Sequence, residues 1–181
     1  MQVMTRTCFL VIVMLMLVTA GCERKSQTVK EEQLKLTEVI KADTTPRVTG
    51  IGGIFFLSED PSATKTWYSK NLGLVTNEYG SVFESRNANR PDEINYLVWT
   101  PFKDKSDYFV PSKKPFMINY RVQNLRGLVR QLKAGGVNVL DTIETYDYGK
   151  FVHIMDPEGN KIELWEPVDS VLTKMGGKTT K

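Results

Sequence analysis

The sequence predicts an α+β fold built from two βαβββ modules. Three observations carry this reading. Strand-like runs and one helix recur in the same order in each half. Each helix exits through glycine, at Leu72-Gly73-Leu74 and at Gly135-Gly136-Val137, the residue that most readily takes a helix-ending left-handed conformation. The second half closes in a sharply defined hairpin. The repeat is one of structural pattern more than of identity. At 181 residues, 41% hydrophobic and 25% charged, the chain has the size and composition of one globular domain with appendages.

Val48 to Leu57 is rich in β-branched and aromatic residues and reads as the first strand. Asp60-Pro61 then starts a helix, with Asp60 as N-cap and Pro61 at the first helical position. Ala63, Trp67, Tyr68 and Leu72 give this helix an apolar face. Short strands are expected at Leu74–Tyr79, Ser81–Ser85 and Ile94–Thr100, and the charged stretch Lys103–Lys114 joins the halves. Phe116–Val122 opens the second round as a strand. Leu125–Lys133 is its helix, and three strands follow from Val137.

The last two strands flank Asp156-Pro157-Glu158-Gly159-Asn160. In this turn Pro157 presets φ, Gly159 can take φ > 0, and Asp156 and Asn160 can bond nearby backbone. By alternation, Ile162 and Leu164 face one way and Glu163 and Trp165 the other. If Met155 pairs with Lys161, His153, the one histidine of the chain, sits opposite Glu163. That pair reads as an acid/base couple or half of an unusual metal site in a cleft, or else as a half-exposed strand histidine with a hydrogen bond. An unpaired cleft carboxylate is costly, so Glu163 needs a partner. Arg121 is the first choice and His153 the second.

Before the domain, residues 1–21 read as a targeting segment. Arg6 precedes the apolar run Cys8–Val18, which is too short to span a bilayer comfortably. The run ends Val18-Thr19-Ala20-Gly21-Cys22, which resembles the lipobox of bacterial lipoproteins. That resemblance implies cleavage before Cys22, acylation of Cys22, and a domain held outside the cytoplasm by a lipid anchor. Two or more acyl chains give stable anchoring. Residues 23–46 are then a tether, partly helical by composition, with Leu36, Val39 and Ile40 on one face. Its extended reach would be about 80 Å. The domain itself is assigned to 47–168, and 169–181 to a flexible tail. Cys8 and Cys22 are the only cysteines, so the domain has no disulfide and no thiolate chemistry. A net charge of +3 with scattered lysines gives no footprint for nucleic acid.

The run Gly149-Lys150-Phe151 through Ile154-Met155-Asp156-Pro157-Glu158-Gly159-Asn160-Lys161-Ile162-Glu163-Leu164-Trp165-Glu166-Pro167 resembles the closing hairpin of the vicinal oxygen chelate superfamily. That superfamily includes glyoxalase I, the bleomycin-resistance proteins and the extradiol dioxygenases. The resemblance covers about Val48 to Pro167. It implies paired βαβββ modules forming a curled mixed sheet around a cleft, with four strand positions that hold a metal.

Carried onto this chain, those positions fall at Gly53, at Tyr96 or Leu97, at Met117 and at Glu163. Only Glu163 is a ligand for a catalytic divalent ion, which generally needs three protein ligands. The resemblance therefore implies a metal-free cleft that binds a small organic molecule, or one that holds a divalent ion only weakly. Phe55, Tyr96, Met117, Trp165 and Trp99 would supply apolar surface, and Asn119, Arg121, His153 and Glu163 direction. A glyoxalase-like lyase, isomerase or dioxygenase with a degenerate site is the alternative, with Glu163 and His153 as candidate catalytic groups. A structural envelope lipoprotein is a second. Exposed sheet edges and the habit of the superfamily suggest a homodimer.

Overall fold

The computed structural model describes residues 44–87 and 93–180, together with Lys30. The targeting segment with Cys22, and the tether up to residue 43 save Lys30, lie outside the described residues.

The elements are β1 (Arg47–Ser58), α1 (Pro61–Leu72), β2 (Ser81–Arg86), β3 (Ile94–Lys103), β4 (Phe116–Gln123), α2 (Leu125–Ala134), β5 (Asn138–Val139), β6 (Glu144–Tyr146), β7 (Gly149–Met155), β8 (Lys161–Pro167) and α3 (Asp169–Met175). A 3₁₀ turn, Asp107–Phe109, interrupts the connection between β3 and β4. All the strands join one mixed sheet in the order β2-β3-β1-β4-β8-β7-β5, with β6 also on β7. The two modules meet at the antiparallel β1–β4 pair. Each central strand then pairs in parallel with the last strand of its own module, β1 with β3 and β4 with β8.

Local chemistry sets the helix ends. Asp60 accepts from the N–H groups of Ser62 and Ala63, Pro61 opens α1, and Gly73 closes it at φ 72°. Asn124 caps α2 through Gly127 N–H. The hairpin turn also forms as expected. Asp156 accepts from Glu158 and Asn160 N–H, and Gly159 sits at φ 79°.

Four expectations change. The chain from Val137 onward forms four strands, β5 to β8, rather than three. Leu74–Tyr79 is not a strand, because its polar groups are engaged elsewhere. Asn77 Oδ1 turns the chain by accepting from Tyr79 and Gly80 N–H, and Val75 N–H donates to Thr180 Oγ1. The apolar face of α1 is mostly unburied. Trp67 and Leu72 are 55% and 59% exposed, and it is Tyr68 that packs at a tilt against Trp99. The segment from 169, expected as a flexible tail, is folded onto the domain. Asp169 pairs with Arg121, and Thr180 N–H donates to Val82 O in β2.

Two apolar clusters fill the interior. One belongs wholly to the second module: Val122, Leu125, Val129, Val152, Ile154 and Leu164. The other, Phe55, Phe109 and Met117, is shared between the modules.

Candidate functional site: a cleft over a buried carboxylate

The face of the sheet opposite α1 and α2 is set by alternation and register. Gly53 pairs with Val98 on one side and Asn119 on the other. Asn119 pairs with Glu163, and Glu163 with His153. One row, Val98–Gly53–Asn119–Glu163–His153, therefore crosses five strands. Above it lies a cavity of about 650 Å³, whose lining includes Phe55, Tyr96, Val98, Asn119, Phe151, Glu163 and Trp165.

Glu163 is 3% exposed and its oxygens are fully engaged. Oε1 accepts from Asn119 Nδ2 at 2.5 Å. Oε2 accepts from the Tyr108 hydroxyl and meets His153 Nε2 at 3.1 Å. The other nitrogen of His153, Nδ1, lies 2.6 Å from Asp141 Oδ2, and Asp141 Oδ1 accepts the His153 backbone N–H. A chain of bonds thus runs from half-exposed Asp141 through His153 to Glu163 at the cleft floor. Lys161, on the same strand face, donates to Tyr108 O at 2.6 Å and lies 5.1 Å from the Tyr108 ring centre.

Electrostatics follow from these contacts. Burial alone would lower the His153 pKa, but the hydrogen bonds to Glu163 and Asp141 outweigh it, and the net shift is upward from 6.5. A neutral imidazole can donate from one nitrogen only, whereas the imidazolium donates to both carboxylates. Burial, reinforced by the charge of Glu163, pushes the Tyr108 hydroxyl far up, so it stays a donor. Burial lowers Lys161, against the pull of Asp141 and Glu163.

Register puts Gly53, Val98, Asn119 and Glu163 in one row, whereas the positions carried over by spacing were Gly53, Tyr96 or Leu97, Met117 and Glu163. Residue spacing counted through loops cannot see register, and the difference amounts to two residues on β4 and one or two on β3. Met117 is fully buried with Phe55 and Phe109 instead. Trp99 faces the other side, against Phe56 and Tyr68.

Arg121 is not the partner of Glu163. It forks onto Asp169 at 2.6 and 2.5 Å, donates to Tyr96 O and Asn95 Oδ1, and stacks 5.2 Å from the Trp165 ring centre. Of the expected ligand-binding residues, Phe55, Tyr96, Asn119, Glu163 and Trp165 line the cavity, while Met117 and His153 do not and Arg121 lines a neighbouring hollow with Asp169. Tyr108, Asp141, Lys161 and Asp169 were missed. Lys161 alone carried a signal, since alternation from Glu163 puts it on the same face.

The donor set does not fit a catalytic metal. Val98 has no ligand atom. A Cβ at Gly53 would come within 2.9 Å of the Phe55 ring and Val98 Cγ2, so apolar atoms fill the place of a ligand there. Asn119 turns its NH₂ toward Glu163. No group of three His, Cys, Asp or Glu side chains converges among the described residues.

A curled mixed sheet of two like modules, with four register-matched positions facing one cleft, defines the paired-module class to which the vicinal oxygen chelate proteins belong. Residues 50–164 match the model of the Glyoxalase/Bleomycin resistance protein/Dioxygenase superfamily, and the chain belongs to that superfamily. Solved structures with the same fold include a methylmalonyl-CoA epimerase in complex with methylmalonyl-CoA and NH4+ (12% identity, TM-score 0.51, covering 67% of this chain and 96% of that one). Another is Streptomyces coelicolor methylmalonyl-CoA epimerase in complex with 2-nitronate-propionyl-CoA (14%, TM-score 0.50, 67% and 99%). Methylmalonyl-CoA epimerase from Mycobacterium tuberculosis is similar at 21% identity, with a TM-score of 0.44 over 70% of this chain and 93% of that one. No curated protein matches the sequence.

Proposed function

We propose that this chain is a lipid-anchored binding module of the superfamily, which holds a small, largely apolar organic molecule in its cleft without a metal. One observation carries the reading. In the row of four positions, the single carboxylate is already saturated by Asn119, Tyr108 and His153, while the cavity above it is walled by aromatic side chains. Glu163 is then a fixed polar floor rather than a metal ligand. Aromatic walls with a few placed polar groups are the usual make-up of a small-molecule site. The anchor rests on Ala20-Gly21-Cys22, and places the domain on the outer side of a membrane in the cell envelope. A homodimer goes with this reading, supported by exposed Ile51, Ile54, Trp67 and Leu72.

The bond chain from Asp141 to Glu163 favours one second reading, metal-independent proton transfer at the cleft floor. A His poised by two carboxylates is the natural carrier.

Elemental analysis of untagged protein, followed by titration with Zn, Mn, Ni and Fe(II), tests the first reading. We expect no stoichiometric metal, and a Tyr96→Ala variant with weakened binding of the neutral aromatic probe N-phenyl-naphthylamine. Near-stoichiometric metal that disappears in Glu163→Gln would overturn it.

A further inference from the structure

The family match ends at residue 164, yet the chain beyond it forms one wall of the cleft. Leu172 and Met175 of α3 line the same cavity as Phe55, Tyr96 and Trp165. This segment is tied down at both ends and loosely packed between them. At its start, Asp169 is forked onto Arg121, with side chains 14% and 4% exposed. The Arg121 guanidinium is fixed in turn by Tyr96 O, Asn95 and the Trp165 ring. Further along, the Tyr96 hydroxyl reaches Thr173 Oγ1 at 3.3 Å.

At the far end Thr180 is bonded three ways, to Val82 O, Ser81 Oγ and Val75 N–H, each at 2.8 Å. Between the ties, α3 buries no residue and its N-cap, Val168, makes no side-chain bond. Gly176 and Gly177 follow at φ 66° and 128°, backbone conformations that glycine tolerates and other residues resist. A seven-residue helix is not stable alone, so its order depends on these ties.

We propose that residues 169–180 are a strap that gates the cleft and sets its specificity, with Asp169–Arg121 as the clasp and Leu172 and Met175 as the surface that meets the ligand. This rests on the cleft-binding reading above. The strap adds Leu172 and Met175, with Lys178 and Thr179 beyond them in the chain, to a lining that already holds aromatic side chains beside Val98, Asn119 and Glu163. The part of the ligand that meets Leu172 and Met175 is therefore a hydrocarbon or aromatic body. A ligand enters when the clasp opens, and closure completes its apolar surroundings.

The test uses the full-length chain in two independent arms. Without any probe, Asp169→Asn should speed hydrogen exchange of the amides of residues 170–176 by about tenfold, the scale of losing a charge-assisted bond, and leave β4 and β8 unchanged. Exchange unaltered by Asp169→Asn would overturn the clasp. In the second arm N-phenyl-naphthylamine is the ligand. Leu172→Ala/Met175→Ala should weaken its affinity about tenfold, and Asp169→Asn should speed its association by about tenfold.

If the double variant binds as tightly as wild type while Tyr96→Ala weakens binding, the strap does not set specificity and the cleft reading stands. If neither wild type nor any variant binds the probe, the cleft reading falls and takes the specificity claim with it. The exchange arm then still decides whether the clasp exists.

Discussion

Glu163 and His153 face one another across the closing hairpin, with Oε2 3.1 Å from Nε2, and each is held from behind by a second group. Asp141 grips the far nitrogen of His153. Asn119 and Tyr108 hold Glu163. The pair is thereby fixed in orientation as well as in contact.

The first consequence is a titration. The His153 pKa is raised in the folded protein above its ordinary 6.5. Its contribution to stability is therefore full below the unfolded value and is lost as pH rises through the folded one. Stability should fall as pH climbs from about 6.5 toward that higher pKa. Because the chain has one histidine, its ring proton resonance reports the midpoint directly. Asp141→Asn should move that midpoint down, and His153→Gln should remove the slope.

Truncating Glu163 strands three donors, from Asn119, Tyr108 and His153, and below the raised His153 pKa one of them is charged. Glu163→Ala should cost about 3–5 kcal/mol in chemical denaturation, the range for breaking a buried ion pair. Tyr108→Phe, which removes one neutral donor, should cost about 1 kcal/mol. The double variant should cost less than the sum, since both changes act on one network.

Gly52 passes so close to the cleft floor that a Cβ there would lie 2.2 Å from Asn119 Oδ1 and 2.8 Å from Trp165 Cε3. Both neighbours are buried and held in place, Asn119 by Glu163 and Trp165 between Arg121 and Phe151. Gly52→Ala should destabilise by about 1–3 kcal/mol, read as a lowered denaturation midpoint at unchanged slope.

The register row makes a claim that can be built. Val98→Glu with Asn119→His would supply two donors beside Glu163, reaching the three-ligand minimum. That variant should bind Zn at least about tenfold more tightly than wild type by calorimetry. Tyr96→Glu with Met117→His, at the positions expected from spacing alone, should not.

The anchor is tested by fractionation. If the lipobox reading holds, wild-type protein should sediment with membranes, and Cys22→Ser should release or mislocalise it.

Much of the hairpin was legible in the sequence. Its turn residues dictate a reversal, and once Met155 is paired with Lys161 across it, period-two alternation places His153 against Glu163. Both of these operate over a few residues. What could not be read came from distance. Tyr108 lies in a stretch whose lysines and aspartates read as a plain connector. Asp141 sits in a loop, and Asp169 in a segment that lacked any strand or helix signal strong enough to expect order. The register row departs from the positions expected by spacing for a related reason. Counting from helix landmarks crosses loops and a β1 bulge between Ile51 and Gly53, and each can absorb a residue without trace.

The two modules share a plan but not a burden. The core of Val122, Leu125, Val129, Val152, Ile154 and Leu164 draws on the second half alone, whereas α1 buries nothing and the first half borrows Met117 and Phe109 for its interior. The molecule is therefore polarised in the order in which it should come apart. On warming, the first half should loosen while the hairpin and α2 persist, so that the cleft loses a wall before the protein loses its fold.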